Sequence, residues 1–78
     1  MHLGYVLINC ELGTEEYVME ELKRIPEVKK AHVTFGTFDI IVEIQAKTQE
    51  DFDNIISHGI RNISRVISTM TLKVVNSE

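Results

Sequence analysis

Residues 35–39, with the sequence FGTFD, combine a turn-forming glycine with a carboxylate that could bind a ligand. Gly36 can adopt the positive φ that a tight hairpin requires. Asp39 begins the otherwise apolar run 38–42, where an unpaired buried carboxylate would be costly. A free amino acid carries an ammonium group that would neutralise this charge. We therefore predict that Asp39 binds the ammonium group of a free amino acid.

Hydroxyl side chains near this hairpin and in the last strand could bind the carboxylate of the same ligand. Hydroxyls and backbone amides near Gly36 donate hydrogen bonds, as a carboxylate requires. An alternative interpretation is that Asp39 bonds its own turn and that the hydroxyl residues only reflect β-propensity. The candidate ligand-binding residues are Thr34, Gly36, Thr37, Asp39, Ser68, Thr69 and Thr71.

The other chemically reactive side chains match no catalytic or metal-binding spacing. The three histidines, His2, His32 and His58, are dispersed, and Cys10 is the one cysteine. We expect exposed histidines and a Cys10 that packs as a small core residue. No phosphate loop or nucleophile elbow occurs. The sequence thus predicts no catalytic residue, no metal and no cofactor.

Size and charge restrict the remaining function classes. The chain has 78 residues and a net charge of −4, and its eight basic residues are scattered, which disfavours unaided nucleic-acid binding. We expect Arg61 and Arg65 to be solvated or paired across an interface. A single domain over residues 1–78 is predicted, with no membrane span, in the reducing cytoplasm. A core this small, with no disulfide or metal, favours oligomerisation.

Apolar periodicity predicts the element order βαββαβ. Strands are expected at residues 3–10, 28–35, 38–46 and 65–75, with helices capped by Thr14 and Thr48. The apolar residues of the second helix form one stripe, as a single buried helix would. This order predicts an α+β ferredoxin-like fold, with a four-stranded antiparallel sheet and both helices on one face.

The third strand predicts which side chains face the helices. Its apolar set points one way and consists of Phe38, Ile40, Val42, Ile44 and Ala46. The opposite face should then receive Asp39, Ile41, Glu43 and Gln45, with Tyr5 and Leu7 or their neighbours from the first strand. A solvated face would be more uniformly polar. This mixture indicates a dimer with two sheets packed together, as an α/β sandwich or barrel.

Four segments in order carry a resemblance to a known family. They are residues 4–10 (GYVLINC), 25–28 (IPEV), 35–42 (FGTFDIIV) and 66–72 (VISTMTL). Together they resemble the effector-binding domain of the Lrp/AsnC family, also called the RAM domain, over essentially the whole chain. The hairpin that follows the IPEV segment is the most specific part of the likeness.

This resemblance implies a regulatory function and an assembly. It implies dimers formed through the sheets, often in rings of four or five dimers (an octamer or decamer), with small amino-acid effectors bound between neighbouring dimers near the hairpin. Gly36 and Asp39 match the family's hairpin; Ser68, Thr69 and Thr71 match its polar final-strand segment. The sequence begins at the first strand, so we expect it to lack the helix-turn-helix that usually precedes the domain. We therefore expect a stand-alone form without direct DNA binding, which could assemble with full-length regulators.

The resulting prediction is a non-enzymatic amino-acid sensor that modulates transcription or amino-acid metabolism. One alternative is a small dimeric α+β-barrel enzyme, such as a cofactor-free oxygenase or a haem-degrading relative, because the same fold supports such chemistry. The lack of Trp and the scattered histidines disfavour it. Another alternative is a structural oligomerisation module that binds no ligand.

Overall fold

Helices cover one face of a four-stranded antiparallel sheet, and the computed structural model describes residues 1–75 of the chain. The predicted order βαββαβ and the ferredoxin-like fold are confirmed. The elements are β1 (His2–Cys10), α1 (Glu15–Leu22), β2 (Val28–Val33), β3 (Ile40–Ala46), α2 (Gln49–Asn54), a π-helical turn (Ile55–Gly59), a 3₁₀ turn (Ile60–Asn62) and β4 (Val66–Lys73).

The strand order places β1 in the interior of the sheet. The order is β2-β3-β1-β4, so β2 and β4 are the edge strands. Ile8 of β1 lies opposite Ile40 in β3 and opposite Thr69 in β4. Residues at the start of β3 and at the start of β4 therefore lie at the same end of the sheet, on either side of β1.

Alternate side chains along the strands are buried and form the core of the domain. The helix-facing residues of β3 are Ile40, Val42, Ile44 and Ala46, all buried as predicted, whereas Phe38 precedes the strand and is half-buried. Burying one such aliphatic side chain stabilises the fold by about 1.5–3 kcal/mol. The helical layer supplies the opposing buried side chains, which are Val18, Leu22, Phe52 and Ile60.

Only one of the two predicted helix caps forms. Thr48 accepts a hydrogen bond from the Asp51 backbone N–H at 3.0 Å, as an N-cap should. Thr14 does precede α1, but its Oγ1 donates to the Glu11 carbonyl at 2.6 Å. Thr14 therefore occupies the predicted N-cap position, but its side chain makes no capping bond because its hydroxyl is used in the preceding turn.

The second helical segment is not one regular helix, contrary to prediction. After α2 the chain widens into the π-helical turn, and the Ile60 backbone N–H donates to the carbonyls of Ile55 and Ile56. Ile60 is fully buried and Phe52 almost so, so both ends of the segment contribute to the core. No helix within residues 1–75 is long and apolar enough to cross a membrane.

Lys73 connects the edge strand β4 to α2. Its Nζ lies 3.1 Å from Asp53 Oδ1 and 5.6 Å from the centre of the Phe52 ring. The hydrogen bond from Lys73 lowers the pKa of the Asp53 carboxyl. Gly4, which pairs with Lys73, leaves the space that the Phe52 ring occupies against the sheet.

The substitution Gly4→Ala should destabilise the fold by about 1–3 kcal/mol through overpacking. A Cβ at Gly4 would collide with the Phe52 ring and lie 2.9 Å from the Leu72 carbonyl oxygen. The matched control is Gly59→Ala, whose Cβ would lie 3.5 Å from Ile25 Cδ1, an ordinary contact. Urea unfolding should give a lower midpoint for Gly4→Ala than for the wild type, and an unchanged midpoint for the control. Equal midpoints for the two variants would contradict the packing assignment.

Candidate functional site

The hairpin between β2 and β3 is held by its own hydrogen bonds. The Thr34 backbone N–H donates to the Asp39 carbonyl at 2.8 Å, and Thr34 Oγ1 donates to the Phe38 carbonyl at 2.7 Å. These bonds close the loop immediately after Val33. The predicted strands at 28–35 and 38–46 were therefore too long at this end, and Thr34 acts within the turn.

The Asp39 carboxylate joins this hairpin to the end of β1. Asp39 Oδ2 accepts a hydrogen bond from the Cys10 backbone N–H at 2.9 Å, and the Asp39 N–H donates to the Ile8 carbonyl at 2.9 Å. The carboxylate thus provides an acceptor for the Cys10 N–H, which lies beyond Ile8–Ile40, the last pair between β1 and β3. The side chain is therefore directed toward the end of β1.

One oxygen of this carboxylate remains available for a further interaction. None of the four ion pairs found within residues 1–75 includes Asp39. Oδ2 accepts from the Cys10 N–H, and the Cys10 thiol also interacts with this carboxylate, whereas no backbone hydrogen bond to Oδ1 is found in the same part of the chain. Asp39 is half-buried, so a cation that reached Oδ1 would meet a carboxylate partly shielded from water.

Gly36 allows the tight conformation of the loop tip. Its φ is +146°, and a methyl group built there would meet no atom within 4 Å. Glycine is therefore favoured by backbone conformation and not by crowding. Thr37 is exposed beside it, and Phe35 is fully exposed at the tip. The open space around Gly36 would admit a small ligand or another chain.

The three predicted hydroxyl residues of β4 do not share one face. Ser68 pairs with Asn9 and lies on the open face of the sheet; Thr69 and Thr71 pair with Ile8 and Val6 and lie on the helix-covered side. Because β1 separates β4 from β3, Thr69 lies two strand spacings, about 10 Å, from the start of β3. The structure therefore places the two halves of the predicted site at one end of the sheet but not in contact.

Cys10 and the histidines behave as structural or exposed residues. Cys10 is buried, and this burial raises the pKa of its thiol, with the nearby Asp39 charge adding to the rise. His2, His32 and His58 are exposed. No group of three or more metal-ligating side chains occurs within the described residues.

Comparisons with known proteins identify the class of this domain. The family model described as "Lrp/AsnC ligand binding domain" matches residues 3–78, and the chain belongs to this family. HTH-type transcriptional regulator FL11 of Pyrococcus furiosus is 29% identical over 72 residues, which are 92% of this chain and 47% of that protein. The chain thus spans about half the length of the curated relatives it matches, which are named as transcriptional regulators.

Solved structures show the same fold. The crystal structure of FFRP-DM1 superposes with a TM-score of 0.93 at 35% identity, covering 96% of this chain and 100% of that one. A transcriptional regulator of Neisseria meningitidis in complex with L-methionine gives a TM-score of 0.87 at 12% identity, covering 96% of this chain and 50% of that one. This second likeness concerns the fold alone.

Removal of the Asp39 carboxylate should destabilise the hairpin. In Asp39→Ala the Cys10 N–H loses its acceptor, at a cost of about 1–3 kcal/mol in the free energy of unfolding. Asp39→Asn keeps an acceptor oxygen and should lose less. Urea unfolding of both variants measures the difference, and an Ala variant as stable as the Asn variant would show that the bond contributes nothing.

Proposed function

We propose that residues 1–78 form one amino-acid-binding domain that modulates transcription or amino-acid metabolism without itself binding DNA. The ligand is a free amino acid. Its ammonium group binds Asp39, and its carboxylate binds backbone amides near Gly36 or the strand segment 68–71. Its output passes through self-assembly or through mixed assembly with longer regulators of the same family.

The observation that carries this proposal is the incomplete neutralisation of Asp39. The carboxylate is half-buried, accepts one backbone hydrogen bond and has no lysine or arginine partner within residues 1–75. An ammonium group is the natural complement of such a site. The neisserial regulator, which has the same fold, was solved in complex with L-methionine. This supports an amino acid as the ligand class.

The net charge of −4 supports the absence of direct DNA binding by this domain. DNA binding depends on clustered lysine and arginine against phosphates. Two of the three arginines already pair with acidic residues, Arg24 with Glu21 and Arg65 with Glu11. A regulatory effect on transcription would therefore pass through a partner protein.

The Cys10–Asp39 hydrogen bond also favours a second candidate, a structural module that binds no ligand. In that case Asp39 would only fasten the hairpin to β1. The two functions differ in one measurement, because a ligand that binds only the folded state raises the unfolding temperature. A module without a ligand would show the same unfolding temperature with every amino acid.

Calorimetry against the twenty amino acids should detect binding to the wild-type chain and at least about tenfold weaker binding to Asp39→Asn. The Asn variant removes the charge while keeping the acceptor for Cys10, so its fold is retained. Asp51→Asn, an exposed carboxylate at the start of α2, is the matched control and should bind as the wild type does. Absence of binding to the wild type, or equal affinity in Asp39→Asn, would refute the proposed site.

The open face of the sheet supports self-assembly. Tyr5, Leu7 and Ile41 lie on this face beside Met70 and Leu72, which are each about half exposed. Lys30 and Glu43 pair across β2 and β3 on the same face, so it carries both charge signs. Such a surface is self-complementary under two-fold symmetry, which makes a second copy of this chain its proposed occupant.

Leu72→Glu should disrupt this dimer, because each interface would bury two unpaired carboxylates. We expect the dimer dissociation constant to rise at least about 100-fold. Leu12→Glu makes the same change at a fully exposed loop position and should leave the dimer intact. Analytical ultracentrifugation distinguishes the outcomes; a wild-type monomer, or an unchanged Leu72→Glu dimer, would exclude the open face as the interface.

A further inference from the structure

A small cavity on the open face of the sheet contains a histidine beside a lysine and a carboxylate. It has a volume of about 60 Å³ and is lined by Tyr5, Lys30, His32, Ile41 and Glu43. His32 pairs with Ile41 across β2 and β3. Glu43 lies between Lys30 on one side and Tyr5 on the other. His32 therefore lies at the border between the apolar part of this face and its charged part.

Of the three histidines, all within residues 1–75, His32 alone lies on the open face. His2 pairs with Ala46, whose buried side chain faces the helices, and directly opposite residues share one face of a sheet. His58 lies in the π-helical turn, which belongs to the helical layer. A change in the charge of His32 therefore alters the open face, whereas the other two histidines alter the opposite side.

The fixed charges around His32 balance each other. Lys30 of β2 and Glu43 of β3 lie directly opposite one another, and β1 contributes the hydroxyl of Tyr5. Lys29, at the bulge in β2, donates to the Pro26 carbonyl at 3.2 Å and does not line the cavity. The cavity thus has one positive and one negative side chain when the imidazole is neutral.

The His32 side chain has no carboxylate that would hold it in the charged form. None of the four ion pairs found within residues 1–75 includes His32, and Glu43 Oε2 accepts a hydrogen bond from Gln45 Nε2 at 3.3 Å. His32 is exposed in the single chain, so water solvates its charge when it gains a proton. Covering this face removes that water.

We infer that protonation of His32 opposes the association of two copies of the chain through the open face. The inference rests on the self-assembly in the proposed function, because a second copy is the proposed occupant of this face. It adds a regulation to that interface: the dimer forms at neutral pH and dissociates in mild acid.

Two-fold symmetry gives the direction of the effect. In a symmetric dimer the same surface of both copies is brought together. With neutral His32 the charges of Lys30 and Glu43 balance on each face, whereas protonation gives each face one additional positive charge. Two faces with the same net charge then repel each other. The Glu43 carboxylate of either copy is already opposed by a lysine, so no unbalanced negative charge receives the imidazolium.

Loss of water acts in the same direction. A second copy that covers Ile41 also removes water from the adjacent His32 imidazole. Desolvation disfavours the charged form of a titratable group, and a nearby charge of the same sign adds to this cost. Lys30, two residues away on the same face of β2, is such a charge. The dimer therefore favours neutral His32.

The pH range follows from the ordinary titration of histidine. Above this range the imidazole is neutral in both the single chain and the dimer, so association is at full strength. As the pH falls through about 6.5, the separate chains take up protons that the dimer excludes. Each of the two histidines then weakens association about tenfold at about pH 5.5, so the dimer dissociation constant rises by up to about 100-fold.

The first test measures the dimer dissociation constant by analytical ultracentrifugation at about pH 8 and about pH 5.5, at constant ionic strength. The wild type should dissociate in acid, whereas His32→Gln, which cannot gain a proton, should have the same dissociation constant at both pH values. His58→Gln, an exposed histidine of the helical layer, is the matched control and should dissociate as the wild type does. A wild-type change below about threefold, or an equal acid effect in His32→Gln, would overturn the inference.

The second test places a permanent positive charge at the same position. His32→Lys should associate at about pH 8 as weakly as the wild type does at about pH 5.5, with little further change in acid. This measurement needs no acid, so acid unfolding does not enter it. A His32→Lys dimer as stable as the wild type at about pH 8 would contradict the inference.

The same measurements separate the inference from the proposed function. A wild-type chain that is monomeric at about pH 8 would refute the proposed self-assembly, and the inference with it. A wild-type dimer that forms at about pH 8 and persists unchanged at about pH 5.5 would refute the role of His32 alone.

Discussion

The hydrogen bond from the Cys10 N–H to Asp39 Oδ2 determines what the hairpin can do. It fastens the loop after Val33 to β1, one of the two interior strands of the sheet. It also provides an acceptor for a partly buried N–H that would otherwise be costly to leave unpaired. Because Asp39 has no ion-pair partner within residues 1–75, the side chain that fixes the loop can also receive a cation. Structural and ligand-binding functions of Asp39 are therefore compatible.

The layers of the fold follow from periodicity, whereas the ends of its elements do not. Alternation at Ile40, Val42 and Ile44 was sufficient to orient β3, because one face of a strand must be buried. Arg65 was expected in β4, yet its φ of +81° places it outside the strand. Thr14 was expected to cap a helix and instead bonds Glu11. Positive φ and local side-chain bonds decide the boundaries, and periodicity carries no information about either.

Sequence reasoning named candidate site residues but did not specify the directions of their side chains. Gly36 and Asp39 were recognised from turn chemistry, but the partner of Asp39 is Cys10, 29 residues away in sequence. Ser68 and Thr69 are adjacent in sequence, so as strand neighbours they point to opposite faces of the sheet. Arg61, Ser68 and Thr69 line one surface groove beside β4, because buried Ile60 positions the turn that carries Arg61. Each of these relations depends on tertiary contacts that residue types alone do not specify.

The proposed function links ligand binding to assembly. Under it, a ligand that Asp39 holds against a second copy of the chain binds only when copies are associated. Association is then stabilised by the ligand, by about 2.7 kcal/mol at a ligand concentration 100 times its dissociation constant. Linkage is reciprocal, so a higher protein concentration raises the apparent ligand affinity. A chain with one small core could thus report amino-acid concentration through its oligomeric state, without any change of its own fold.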